Sequence, residues 1–230
     1  MGKFIRLGTA ITDLEAPILP HPTGVAGFTN RYIPAHLAGP DGTIVSQLPD
    51  SKGSLVLKNL AGTPAETLER ETGFDHVKTS TGAVAGGQLN AATSGLPQAG
   101  HTVSALVRIP LMNTPNAIQV NGVGLSRAAN GVYNLRGPNN ETFLAALNTA
   151  GIVLATWTMA GAVSDLYLNG VRVAGGTFAV APTTTAVNVG PYGTGVECHT
   201  AELILWPTKL TAAEVTAHYT AMKKHYPLIP

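Results

Sequence analysis

The stretch DLYLNGVRVAGG, residues 165–176, constrains the fold more than any other part of the chain. Two short alternating runs flank Asn169-Gly170. A type I′ turn needs positive φ at both central residues, and Asn and Gly tolerate it best. With a two-residue loop, Leu168 faces Val171 and Leu166 faces Val173, while Tyr167 faces Arg172 on the opposite side of the ribbon. One side is apolar and the other carries an aromatic–cation pair. That pattern predicts an antiparallel sheet with one face on a core and one face in water.

The same punctuation recurs along the chain. Turn clusters such as AGPDGT, PDSKG, SGLPQAG, LMNTPN, VNG and LRGPNN separate short β-type runs, among them HTVSALVRI, AIQV, GVYNL, GIVLATWTM, TAVNV and AELILW. In HTVSALVRI, Val103, Ala105, Val107 and Ile109 share one face, and Thr102, Ser104 and Arg108 the other. Short strands at such spacing predict an all-β sandwich or barrel. PAETLERE and ETFLAAL read as single helical turns. With 12% charged residues, 26 glycines and 16 prolines, the chain is turn-rich and weakly charged. A positive mean hydropathy suggests that other chains cover part of its surface.

The two ends differ from the middle. Residues 1–24 carry Pro17, Pro20 and Pro22, which fix φ and remove donors, so this segment reads as an extended N-terminal arm suited to a neighbouring subunit. At the other end, KLTAAEVTAHYTAMKKHYP specifies a helix over 212–226. Thr211 and Glu214 form a capping box, Leu210 and Val215 a hydrophobic staple, and Val215, Tyr219, Met222 and Tyr226 one apolar stripe. Lys223, Lys224 and His225 complement the dipole, and Pro227 ends the helix. His218 and His225 are expected on the helix surface. Residues 25–230 are read as one domain.

Several chemistries are excluded or left without support. A net charge of +1 and the absence of a basic patch argue against nucleic acid. No signal peptide and no apolar run of transmembrane length is visible, so no membrane insertion is expected. The single Cys198 excludes an internal disulfide framework. Its neighbour His199 points to the opposite face of a strand, so the two do not form a nucleophile–base pair, and Cys198 reads as buried structure. Glycosidases of β-sandwich type align carboxylates on one strand. Here the only carboxylate-rich stretch, ETLERETGFD, with Glu66, Glu69, Glu71 and Asp75, reads as an exposed loop. No catalytic residue and no cofactor is therefore assigned. Asp41 and Asp50 are the calcium candidates by donor type, although Asp in turns commonly bonds its own backbone. Of the aromatics available to a sugar, Tyr133, Trp157, Tyr167, Tyr192 and Trp206, the two tryptophans have apolar neighbours and read as core. Tyr192, in the glycine-rich VGPYGTG, is the best candidate for an exposed ring. Tyr167 and Arg172 are the other binding candidates.

Four segments taken together carry a resemblance: Gly42 to Gly53 (GTIVSQLPDSKG), Gly73-Phe74-Asp75, Asp165–Val173, and Ala201–Val215. In that order they resemble the laminin-G-like modules of the concanavalin A-like lectin/glucanase superfamily, such as occur in bacteriophage virion proteins. Leu48 stands where the family often has Trp, and His76 where it often has Gly. The resemblance implies an antiparallel jelly-roll β-sandwich. It also implies a non-enzymatic virion structural or attachment protein (tail, fibre or capsid decoration) located in the virion. Such a protein would be a homo-oligomer contacting other virion proteins and host-surface polysaccharide. A free carbohydrate-binding module and a polysaccharide-cleaving enzyme are the alternatives.

Overall fold

The structure, a computed structural model, describes residues 22–60, 66–79, 88–110, 114–190 and 197–230. The strands among them are β1 (Asn30–Tyr32), β2 (Ile44–Val45), β3 (Gln47–Pro49), β4 (Val56–Asn59), β5 (Glu66–Glu69), β6 (His76–Lys78), β7 (Leu89–Ala91), β8 (His101–Arg108) and β9 (Thr114–Val120). They continue with β10 (Val123–Arg127), β11 (Val132–Arg136), β12 (Thr142–Asn148), β13 (Ile152–Ala160), β14 (Val163–Leu168), β15 (Val171–Thr177), β16 (Val187–Val189) and β17 (His199–Trp206). One helix, α1 (Ala212–His225), follows.

These strands form two antiparallel sheets. Sheet A runs β15-β14-β13-β8-β17-β6-β5-β2, with β1 pairing the far half of β17, and sheet B runs β12-β11-β10-β9-β16-β7-β4-β3. The chain passes from the edge of one sheet to the edge of the other at Ser46, between β2 and β3. At the opposite side, β12 and β15 meet: the Phe143 and Phe178 rings stack, and Gly176 leaves room for Phe143. Alternation explains the layers. Val103, Ala105, Val107 and Trp157 of sheet A meet Ile118, Val120, Leu125 and Leu135 of sheet B in the main core.

A second, smaller core lies outside sheet A. Leu106, Leu154, Tyr167, Ile204 and Trp206 pack there under Val215 and Met222 of α1 and Tyr226, which caps it. The helix forms as its sequence dictates. Thr211 Oγ1 accepts from Glu214 N, Glu214 reaches back to Thr211 N, and the Val215–Met222–Tyr226 stripe is buried. Among the described residues no helix is long and apolar enough to cross a membrane.

The Asn169-Gly170 turn has positive φ at both residues, 52° and 79°, and Leu168 pairs Val171 and Tyr167 pairs Arg172 as expected. Beyond that point the expected register fails. A bulge places Leu166 opposite Ala174 rather than Val173, because one extra residue on the edge strand β15 is accommodated there. The expectation of an open Tyr167 face also fails. Tyr167 is 5% exposed because α1 lies over it. The helix also touches the turn itself: a Cβ on Gly170 would come within 2.9 Å of Tyr219.

The predicted helical turns are strands. ETFLAAL lies in β12, and the described part of PAETLERE is β5. Both pair laterally with alternating neighbours, and that tertiary pairing overrides local propensity. Consequently ETLERETGFD is no simple exposed loop. Its first residues are a strand, and Glu66 is fully buried on the core side. His218, expected on the helix surface, is fully buried as well. Its Nδ1–H donates to Thr23 O (2.7 Å), and Nε2 accepts from Ser104 Oγ (2.9 Å).

Candidate functional site

The strands of sheet B contain no Asp or Glu. Its outer face is uncharged but for a few cations, and the register lines up a row of polar side chains across it. Lys58 of β4 lies opposite Asn90 of β7, Asn90 opposite Asn188 of β16, and Asn188 opposite Gln119 of β9. Gln119 lies opposite Gly124 of β10, and Gly124 opposite Arg136 of β11. Each residue alternates with an inward-facing Leu, Ile or Val, which fixes its outward direction. At about 4.8 Å per strand, Lys58 to Arg136 spans roughly 24 Å.

The amides of the row are hydrogen-bonded in one direction. Asn90 Nδ2 donates to Asn188 Oδ1, and Asn188 Nδ2 donates to Gln119 Oε1 (3.2 Å). The relay begins at an acceptor, Asn90 Oδ1, and ends at a donor, Gln119 Nε2. All three side chains are half-buried. Gly124 leaves a gap that Asn116 fills: a Cβ there would sit 2.4 Å from Asn116 Oδ1. Asn116 takes φ +47° next to the bulge between β9 and β10, which turns its amide back over the row. Asn116 Oδ1 is a buried acceptor with no donor among the described residues. Arg136 closes the row, its guanidinium held by Asn140 Oδ1 (2.7 and 3.0 Å).

Sheet A is chemically different. Around β5, β6 and β17 its outer face gathers Glu69, His76, Lys78, His199 and Arg108, with Glu71 and Glu197 beside them. Arg108 holds Glu71 with two bonds (2.8 and 3.0 Å) and so keeps that carboxyl below its usual range. Burial alone would raise Glu69. The hydrogen bond and charge of Lys78, with the two imidazoles, outweigh it and hold Glu69 down, and the same bond raises Lys78. Burial lowers His199 despite its contact with Glu197. The rings of His76 and His199 stack at 4.5 Å, and Phe74 lies against His76. Phe74, Glu71 and Asp75 also line a neighbouring open cleft of about 670 Å³ between the Pro34–His36 turn and the end of α1.

The residues singled out in the sequence are scattered. Tyr192 lies outside the described residues, as do residues 1–21 of the arm. Tyr167 packs in the second core, and Arg172 turns away to Asp165 (2.7 Å). Tyr133, Trp157 and Trp206 are fully buried. Asp50 accepts from Arg31 N, Lys52 N and Asn30 Nδ2, and Asp41 accepts from Arg70 N. Both carboxylates thus tie separate segments together. Cys198 is buried and its thiol is pushed up to about 12 by that burial, as expected of a structural cysteine. The polar row is not legible in the sequence because its members come from six separate strands, and only strand order brings them together.

Comparison with known proteins shows the fold. No family model and no curated protein matches the chain. Solved structures do. The binding domain of Paraclostridial Mosquitocidal Protein 1 matches at TM-score 0.62 and 10% identity, over 85% of this chain and 52% of that one. Trypanosoma rangeli sialidase matches at TM-score 0.64 and 15% identity, over 87% and 34%. The binding domain of botulinum neurotoxin DC, solved in complex with SialylT, matches at 0.63 and 9%, over 87% and 52%. The chain shares its β-sandwich fold with the matched part of these structures. It spans about a third to a half of their length.

Proposed function

We propose that this chain is a non-enzymatic, glycan-contacting β-sandwich of a bacteriophage virion, and that the outer face of sheet B is its contact surface. One observation carries the reading: three aligned amides, Asn90, Asn188 and Gln119, in a polar row that runs from Lys58 to Arg136 across a face whose strands hold no carboxylate. Amide groups offer a donor and an acceptor each, the pairing a sugar hydroxyl requires. Cleavage of a glycosidic bond by the common route needs two carboxylates on the binding face, and the strands of this one supply none. The neurotoxin domain solved with SialylT lends the fold a precedent for glycan binding. The virion setting rests on the sequence resemblance. The weakly charged surface and exposed Ile44, Leu144 and Val171 suit burial against further copies of the chain or other virion proteins.

The test is a glycan array that includes bacterial surface polysaccharides, read with the intact chain and with Asn188→Ala and Gln119→Ala. The expected result is binding that each variant weakens at least tenfold. Binding unchanged in both variants would overturn the assignment of the face. No binding to any glycan would overturn the glycan reading. A free carbohydrate-binding module would use the same face as a monomer. Mass photometry separates it from an assembling virion component.

A further inference from the structure

The geometry points to a zinc-class metal site on the outer face of sheet A, formed by Glu69, His76 and His199 with Glu197 as the fourth donor. Glu69, His76 and His199 each offer one ligand atom, and these lie within 4.8 Å of one another. Three different strands or their flanks supply the set, β5, β6 and β17, so register alone brings it together.

The hydrogen bonds say which atoms are available. His76 is fully buried, and its Nδ1 lies 2.8 Å from Phe74 O. A carbonyl only accepts, so Nδ1 carries the proton and Nε2 is left to face Glu69 Oε2 at 3.1 Å. An imidazole lone pair and a carboxylate oxygen do not attract each other; a cation must lie on or between them. A backbone carbonyl on the far nitrogen is the usual support for a metal-bound histidine, fixing tautomer and ring angle. Glu69 is divided in the same sense. Oε1 takes Lys78 Nζ (3.1 Å), which leaves Oε2 for the ion. Glu197 Oε1 contacts His199 Nε2, and a turn of its side chain toward the ion supplies the fourth donor that a structural zinc site requires. The neighbourhood holds three carboxylates (Glu69, Glu71, Glu197) against two cations (Lys78, Arg108) and so accommodates a further positive charge. Two imidazoles with carboxylates select zinc or a similar transition metal over calcium or magnesium, which take oxygen almost exclusively.

Arg108 opposes the ion. Its Nη2 donates to His199 Nδ1 (2.9 Å), which puts the ring proton on Nε2, toward Glu197. Binding through Nε2 moves the ring proton to Nδ1, where it faces the Arg108 N–H and breaks that bond. The site is therefore built with a competitor, and removing the competitor should tighten it. Bound metal would cross-link β5, β6 and β17.

The experiment is titration of the intact, tag-free chain with ZnCl₂ by calorimetry, with folding of each variant checked by circular dichroism. One saturating equivalent is expected. His199→Ala and Glu69→Gln, the latter at a side chain only partly buried, should each weaken it at least tenfold, and Arg108→Met should tighten it severalfold. Zinc should also raise the melting temperature of the wild type and not of Glu69→Gln. Absence of a saturable equivalent in the wild type overturns the site. So does wild-type affinity in both Glu69→Gln and His199→Ala, which would place the zinc on the other histidines. If His199→Ala does not fold, Glu69→Gln and the melting shift decide alone.

Discussion

The two outer faces of this sandwich solve the same problem in opposite ways. Both sheets alternate apolar residues inward with polar residues outward. In sheet A outward polar residues bond to a third layer: Ser104 to His218, Thr102 to Leu210 N and Thr208 O, and Glu202 to Tyr226 of the helix end. In sheet B the outward amides bond sideways to the next strand, 90 to 188 to 119. The first arrangement recruits a cover, and the second leaves the face open among the described residues. A polar residue on a strand thus marks either water or a partner, and the direction of its hydrogen bonds distinguishes the two.

The sharpest way to break this contrast is to remove a polar partner from the covered face. Arg31 and Glu202 are both almost fully buried and joined at 2.7 Å. Glu202→Ala leaves a guanidinium in the second core without its carboxylate and takes the acceptor from Tyr226. The expected loss is about 3–5 kcal/mol in urea unfolding. A loss under about 1 kcal/mol would mean that water reaches this layer.

The next effect depends on pH and belongs to sheet A alone. Glu66 lies in the main core with both oxygens unpartnered among the described residues, and burial pushes its carboxyl up to about 9. Between the unfolded value near 4.5 and about 9, the folded chain keeps a proton that the unfolded chain releases. Stability is therefore greatest below the unfolded value and falls as pH rises through this window. From about pH 6 to about pH 8 the fall amounts to roughly 2–3 kcal/mol. Glu66→Gln should be more stable at neutral pH and should flatten the slope. An unchanged slope in that variant would show that the carboxyl is solvated.

A smaller effect tests the seam between hairpin and helix. Gly170 holds φ +79° and lies under Tyr219. Gly170→Ala should cost about 1–3 kcal/mol, with part of the cost removed by Tyr219→Ala in a double-mutant cycle. Strict additivity would mean that the helix does not press on the turn.

The smallest stability effect is expected on the open face. Asn188→Ala should change unfolding by about 0.5–1 kcal/mol while abolishing most glycan binding. A large loss of stability there would mean that the amides serve the sheet rather than a ligand.

Much of the architecture was legible in advance. Asn169-Gly170, the alternation of HTVSALVRI, and the Thr211/Glu214 box with its stripe are local signals, complete within a dozen residues. The candidate sites were not, since each residue in them looks unremarkable in its own segment. Asn90, Asn188 and Gln119 lie far apart in the chain, as do Glu69, His76 and His199. His76 was visible only as a departure from the Phe-Asp-Gly pattern of the resembling modules. Its partner carboxylate lay in a stretch that read as a loop.

Turn chemistry and side-chain period act over a few residues, so the sequence by itself determined the strands' style, the I′ hairpin, the capped helix and the sandwich class. Which face of a sheet meets water depends on what packs over it, and which residues stand side by side depends on strand order and register. Those are long-range choices, made when two cores close. The tertiary structure alone decided that Tyr167 and His218 are buried, that β15 carries a bulge, and that three amides and a glutamate–histidine cluster come together on opposite faces.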